Sequence, residues 1–247
     1  MPEGPSIVIL KEQLRSLGLE GKTVLAVSGN TSIAKERLIN EQLQEFRSWG
    51  KHFLICFKEF TLRVHFMLFG TYRINERKET KERLRLEFEG TEINFYTCSL
   101  LFIEGDINLI YDWSADVMSD QWDEAAAIQK LLLKPDTLVC DALLDQQIFA
   151  GVGNIIKNEV LYRIKVHPAT KIIDLPSVKL KELVTEARNY SFDFLQWKKE
   201  FTLKKHWLAH AKKTCFRCNL PLQKEYMGKT KRRTFFCNNC QKFYISM

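Results

Sequence analysis

The chain begins Met1-Pro2-Glu3-Gly4-Pro5-Ser6. Loss of Met1 would leave Pro2 as a secondary amine at the chain start. An α-amino group titrates near 7.7–8.0, roughly 2 units below a lysine, so a useful fraction is unprotonated at neutral pH. Such an amine attacks carbonyl carbons to give Schiff bases, a form of covalent catalysis. Glu3 stands beside it as a group able to give or take a proton. Gly4 permits a bend, and Pro5 suits the first turn of a helix. The positive end of that helix would disfavour protonation of the amine and attract phosphate.

Four of the seven cysteines fall in two tight pairs, Cys215-x-x-Cys218 and Cys237-x-x-Cys240, with 18 residues between them. Each pair supplies two thiolates from one turn, and four converging thiolates make a closed tetrahedral site for one structural Zn2+. An iron centre is the less common occupant of this spacing. With four protein ligands no position remains for a catalytic water, so the metal would shape a hairpin and do no chemistry. Between the pairs lies Lys229-Thr230-Lys231-Arg232-Arg233-Thr234, a cationic turn suited to phosphates. Cys56, Cys98 and Cys140 lie singly in apolar surroundings, as inert core cysteines do.

Three weaker signals accompany these. Gly151-Val152-Gly153-Asn154 precedes a predicted helix, where glycines admit a ligand close to the backbone and the free N–H groups bind an anion. Asn154 could cap that helix as well as contact phosphate. Lys51 falls at or before a predicted strand in Trp49-Gly50-Lys51-His52. His65 and Met67-Leu68-Phe69-Gly70 end another. Ordinarily Met-Leu-Phe is core, but a protein that extrudes a base needs apolar wedges to fill the stack.

The elements that must hold these groups follow from periodicity. Ile7, Leu10, Leu14 and Leu17 recur at helical spacing. Thr23–Ser28 is a short strand. From about Phe46 to Ile110 the period is two, with turns at Lys58-Glu59, Asn75–Thr80 and Gly90, the texture of an antiparallel sandwich or barrel. Helices are expected over Asp116–Leu133, Asp136–Leu144, about Asn154–Ile164 and roughly Ser177–Trp197, with a boundary near residues 112–120.

At 247 residues and 45% hydrophobic the chain can bury one sizeable core or two modest ones. It shows neither a membrane-spanning run nor a signal peptide's apolar region, so an intracellular protein is expected. The net charge of +7 is uneven. From Gln196 to Met247 there are 13 Lys/Arg against 2 Asp/Glu, interleaved with Trp197, Phe201, Trp207, Phe216, Tyr226, Phe235 and Phe236. A focused basic, aromatic segment suggests a module facing nucleic acid.

Taken together, Met1–Pro5, Gly50-Lys51, His65 with Met67–Gly70, Gly151 to Glu159 and Arg232 to Gln241 resemble the formamidopyrimidine-DNA glycosylase/endonuclease VIII family, in the family's order. The resemblance implies an α+β multidomain protein: an N-terminal antiparallel β-sandwich with a leading helix (1–115), a helix–two-turn–helix domain (116–200) and a C-terminal basic zinc-finger hairpin (201–247). It implies a base-excision-repair glycosylase and abasic-site lyase acting on double-stranded DNA with damaged bases or abasic sites. Pro2 is then the nucleophile, Glu3 the acid/base and Lys51 the lysine beside them. Asn154 and Arg232 are phosphate or backbone clamps, and His65 is a phosphate-proximal residue. Met67, Leu68 and Phe69 form the wedge. Structural zinc is required and no organic cofactor.

Gly4 and the wedge resemble the endonuclease VIII side, which favours oxidised pyrimidines; ring-opened purines stay open. Ser6 departs from the glutamate usual in the family. The rival readings are a non-catalytic zinc-finger nucleic-acid binder and a damage sensor. A monomer suffices for the chemistry. The expected location is the cytoplasm or nucleoid in a bacterium, or the nucleus in a eukaryote.

Overall fold

The computed structural model describes residues 2–245. Met1, whose removal the chemistry requires, lies outside them. The chain divides into two compact units, one running to Tyr111 and one starting at Asp112.

The first unit opens with α1 (Gly4–Arg15), which starts where Pro5 needs no N–H partner. Ile7, Leu10 and Leu14 recur every three or four residues and are fully buried. Each contributes roughly 1.5–3 kcal/mol by leaving water. Six strands follow: β1 (Ala26–Ser28), β2 (Glu45–Trp49), β3 (His52–Cys56), β4 (Phe60–Ile74), β5 (Leu84–Phe88) and β6 (Thr91–Glu104). They pair in the order β1-β5-β6-β4-β3-β2, every pair antiparallel. Just before the two edge strands, Thr23 bridges Gln42, drawing the ends of the sheet together around one core. Phe46 stacks on Phe53 with ring centres 5.5 Å apart, and Leu62, Val64, Phe95 and the α1 leucines complete that core. Strand β1 is shorter than the predicted Thr23–Ser28, because Val24 donates to the Glu41 carbonyl while only residues 26–28 pair with β5. A single turn, α2 (Ile107–Ile110), ends the unit, opened by the Asp106 carboxylate accepting from the Asn108 N–H.

The second unit contains α3 (Glu124–Leu132), α4 (Val139–Ala142), α5 (Asn154–Arg163), α6 (Ser177–Lys199) and the hairpin β7 (Gln223–Met227) and β8 (Arg232–Phe236). Leu180, Leu183, Val184, Ala187, Tyr190 and Phe194 form the apolar face of α6 and share a core with Ala127, Leu131, Ile156 and Val160. Two predicted helices are shorter than their apolar periodicity. The Asp116–Leu133 helix begins only at Glu124. Upstream, Asp116 accepts from the Met118 N–H and Ser119 from the Gln121 N–H, local turns that compete with helix, until Asp123 caps α3 through the Ala126 N–H. The Asp136–Leu144 helix shrinks to α4 because the Val139 N–H is taken by the Thr170 carbonyl and Leu138 bridges Lys171. Cys56, Cys98 and Cys140 are buried, and burial pushes their thiols up to about 11, 12 and 11 respectively. No helix among the described residues is long and apolar enough to cross a membrane.

Candidate catalytic, nucleic-acid and metal sites

In the first unit, Pro2 is half-buried and Glu3 is the N-cap of α1, with extended backbone and only 3% of its surface exposed. The Ser6 N–H donates to the Glu3 carbonyl at 2.8 Å, so the first turn of the helix fixes the residue next to the amine. Helix α1 is itself pinned by its buried leucines. Apolar packing thus sets where Pro2 and Glu3 sit, and the positive end of the α1 dipole lies at that spot.

Lys51 occupies the turn between β2 and β3, not a strand. Trp49 pairs with His52, leaving Gly50 and Lys51 as a two-residue connection with Gly50 at φ +53°. Only glycine takes that conformation readily, so Gly50 holds the lysine's turn. His52 lies opposite His65 on β4, rings 5.1 Å apart. Burial, then the charges of Arg63, His65 and Lys51, push His52 down to about 3. Burial with Arg63 and Lys51 likewise holds His65 below its ordinary value. Both rings are therefore neutral near pH 7. His52 Nδ1 lies 3.1 Å from the Tyr111 hydroxyl, and Trp49 packs 4.9 Å from the Tyr111 ring. His52, Arg63 and Tyr111 escaped the sequence reading; the only signal was alternation, which puts Arg63 and His65 on one face of β4.

Met67, Leu68 and Phe69 are not at the end of a strand but inside β4, where the pairing with β6 shifts register between Phe66 and Thr71. All three are exposed, Phe69 by 80%. Gly70 closes the bulge: a Cβ there would meet Phe66 Cβ and the Thr97 carbonyl oxygen at 2.7 Å. The bulge turns out of the sheet an apolar triplet that ordinary strand pairing would have partly buried.

In the second unit, Gly151 takes φ +100° and Gly153, not Asn154, is the N-cap of α5. Gln146 braces the turn, accepting from the Gly151 N–H at 3.1 Å and donating to the Leu144 and Val152 carbonyls. Nothing in the sequence marked it. Asn154 is the first helical residue, so its side chain has passed the capping position; Nδ2 instead donates to the Arg233 carbonyl at 2.8 Å. Two further buried residues of α5 reach the same hairpin: Lys157 Nζ donates to Thr234 Oγ1 at 2.8 Å, and Asn158 Oδ1 accepts from the Phe235 N–H. Glu159, fully buried, accepts from the backbone N–H groups of Leu208, Ala209 and His210 at 2.9, 2.9 and 2.7 Å.

Arg232 opens β8 opposite Met227. The tip between the hairpin strands does not present its peptide groups outward. The Asp141 carboxylate takes the Lys229 N–H at 2.9 Å, and Gly228, at φ +72°, passes so close to Asp141 that a side chain would collide with it. Lys229 and Lys231 are exposed. Among the aromatic residues of the basic segment, Phe235 and Phe236 are core, whereas Phe201, Phe216 and Tyr226 are exposed.

The Sγ atoms of Cys215, Cys218, Cys237 and Cys240 lie within 4.8 Å of one another. The distances Cys215–Cys240 and Cys218–Cys237 are 3.7 and 3.6 Å. Disulfides need about 2.05 Å. Four sulfurs at about 2.3 Å from one ion would stand about 3.8 Å apart along the tetrahedron's edges, so the donor set and spacing fit a four-thiolate metal.

The family model for the formamidopyrimidine-DNA glycosylase N-terminal domain matches residues 1–98, and that for the formamidopyrimidine-DNA glycosylase H2TH domain matches 114–190. Endonuclease 8-like 3 of Mus musculus is 27% identical over 98% of this chain, but the match spans 46% of the mouse protein. Endonuclease 8-like 2 of Bos taurus is 31% identical over 73% of the chain and 58% of its own length. DNA-(apurinic or apyrimidinic site) lyase Nei2 of Mycolicibacterium smegmatis is 27% identical over 98% of the chain and 99% of its own length. The chain thus spans about half or less of several of the animal proteins it matches. Among solved structures, Lactococcus lactis formamidopyrimidine-DNA glycosylase bound non-covalently to DNA with an abasic site superposes with a TM-score of 0.85 at 21% identity, over 97% of this chain and 99% of that one. A viral DNA glycosylase gives 0.84 at 18%, over 97% and 100%. With both domain types in order, relatives along nearly the whole chain and the fold in common, the chain belongs to the formamidopyrimidine-DNA glycosylase/endonuclease VIII family.

Proposed function

We propose that this chain is a bifunctional DNA glycosylase and abasic-site lyase of base-excision repair, on the endonuclease VIII side of the family, with oxidised pyrimidines favoured. The observation that carries the reading is the Pro2–Glu3 pair at the packed start of α1, a placement that binding alone does not require. The sequence relatives named endonuclease 8-like and Nei2 support the branch, as does the exposed Met67–Phe69 triplet.

The chemistry needs an amine, a proton shuttle and phosphate clamps. The Pro2 nitrogen attacks C1′ of the damaged nucleoside, the N-glycosidic bond breaks, and the base leaves with a proton. Glu3 supplies a proton to the ring oxygen so that the sugar opens to the imine. The imine draws electrons from the C2′–H bond; a base takes that proton and the 3′ phosphate departs, which is β-elimination. A second elimination can release the 5′ phosphate. Water then frees Pro2. Lys51 contacts phosphate and assists elimination, while Asn154 and Arg232 grip the backbone. His65, neutral by virtue of its burial, serves as a hydrogen-bonding neighbour of a phosphate. Met67, Leu68 and Phe69 fill the gap left by the extruded base, offsetting part of the few kcal/mol that flipping costs.

Cys215, Cys218, Cys237 and Cys240 would hold one Zn2+, which supplies cross-linking of the hairpin. The partner is duplex DNA with damaged bases or abasic sites, placing the protein with the genome in nucleoid or nucleus.

Borohydride reduction tests the reading. The protein should become covalently trapped on abasic-site DNA, and Pro2→Gly or retention of Met1 should reduce trapping at least about 100-fold, the scale of losing a covalent route. Undiminished trapping by Pro2→Gly would remove Pro2 as nucleophile. No trapping by the unmodified chain, with DNA binding intact, would leave a binder or damage sensor.

A further inference from the structure

Asn154, Asn158 and Tyr162 lie four residues apart and so form one stripe along α5. Asn154 and Asn158 meet the hairpin at the Arg233 carbonyl and the Phe235 N–H. Tyr162, one turn on, has its hydroxyl 3.2 Å from Cys215 Sγ, and both groups are buried. The first cysteine pair grips this tyrosine from the other side. Arg217, inside Cys215-x-x-Cys218, lays its guanidinium 4.0 Å over the Tyr162 ring and donates to the Tyr162 carbonyl at 2.8 Å. It thereby adds a second, cationic donor to a carbonyl at the negative end of α5 that already accepts from the Lys165 N–H. Ring, hydroxyl and backbone of one residue are each engaged by the same metal-binding turn.

We infer that Tyr162 is a hydrogen-bond donor to the metal-binding sulfur of Cys215 and thereby a positioning residue of the four-cysteine centre. The direction of the bond follows from chemistry. A sulfur bound to a metal has no proton, so the hydroxyl carries the only hydrogen between the two atoms. The bond draws charge from the thiolate, lowers its reactivity towards protons and electrophiles, and holds the Cys215 turn against the end of α5. An apolar contact cannot do this. Phenylalanine would fill the same space without serving the sulfur. The inference rests on the four-thiolate reading of the site.

The test uses the full chain with cobalt(II) in place of the native ion, comparing Tyr162→Phe with the unsubstituted protein. The variant keeps the ring under Arg217. One metal per chain should be retained. The sulfur-to-cobalt charge-transfer band should move to lower energy, and transfer of metal to 4-(2-pyridylazo)resorcinol should be about 10-fold faster, the low end of what losing such a partner costs. An unchanged band together with an unchanged transfer rate overturns the proposal. Should Tyr162→Phe not fold, 3-fluorotyrosine at position 162 replaces it: a more acidic hydroxyl strengthens the bond and should shift the band to higher energy, and no shift overturns the proposal. A chain that takes up no cobalt overturns the four-thiolate reading and this inference with it.

Discussion

Helices α1 and α5 each carry a proposed functional residue at their first turn, yet the two are held by different physics. Helix α1 is fixed by Ile7, Leu10 and Leu14 sinking into a core of phenylalanines. The face of α5 that meets the C-terminal segment is polar: half-buried Asn154 and buried Lys157, Asn158, Glu159 and Tyr162 bond in turn to the Arg233 carbonyl, the Thr234 hydroxyl, the Phe235 N–H, the backbone of residues 208–210 and the Cys215 sulfur. Apolar burial is non-directional and tolerates repacking. A buried network of amides and carboxylates is directional and tolerates little, because any partner left unmade costs its full desolvation. The region proposed to grip phosphates is thus held by angle, and the region proposed to carry the amine by volume.

The comparison can be broken most forcefully by removing the metal. Chelation should unfold the β7–β8 hairpin and abolish tight DNA binding while the first unit melts unchanged; structural zinc in small fingers is worth about 10–16 kcal/mol. A hairpin that keeps its amide protection under chelation would contradict the four-thiolate site. Next is Glu159→Gln, nearly isosteric, which removes the charge from three backbone hydrogen bonds and sets an amide N–H2 against the Leu208 N–H. It should cost on the order of 3 kcal/mol in urea unfolding of the second unit.

Acid comes third. His52 and His210 are held neutral by burial, titrating at about 3 and about 4 against 6.5 when unfolded. The unfolded chain therefore binds protons first, and stability falls as pH drops below 6.5, until about 4 in the second unit and about 3 in the first. By pH 5.5 the loss is at most about 1.4 kcal/mol per histidine, readable by histidine NMR and thermal melts. Smallest is Leu10→Met in α1, a volume-conserving apolar swap expected to cost about 1 kcal/mol. If Leu10→Met proved worse than Glu159→Gln, the distinction between volume and angle would fail.

That distinction also marks what could be read before the fold was known. Helix α1, the alternating strands, the α6 face and the two cysteine pairs all announce themselves through spacing, because burial against one neighbour imposes a period and a metal imposes a turn. Pro2, Glu3 and Lys51 stand out as a set only through the family resemblance, and the turn position of Lys51 depends on the Trp49–His52 pairing, which local pattern does not give. Helix α5 was found, but the partner of Asn154 lies 79 residues away on another element. No local signal predicts that Asn154 spends a hydrogen on Arg233, that Gln146 braces the glycine turn, or that Asp116 and Ser119 delay α3. These depend on which backbone groups the fold leaves unpaired.

Asp141 has an implication for what the cationic hairpin tip can discriminate. With its carboxylate already seated on the Lys229 N–H, that peptide group cannot double as a rigid anion cradle. Lys229 and Lys231 remain as flexible point charges, which attract any phosphate chain alike. On the proposed reading the tip supplies adhesion blind to bases, and the choice of lesion rests with the bulge and the chain start.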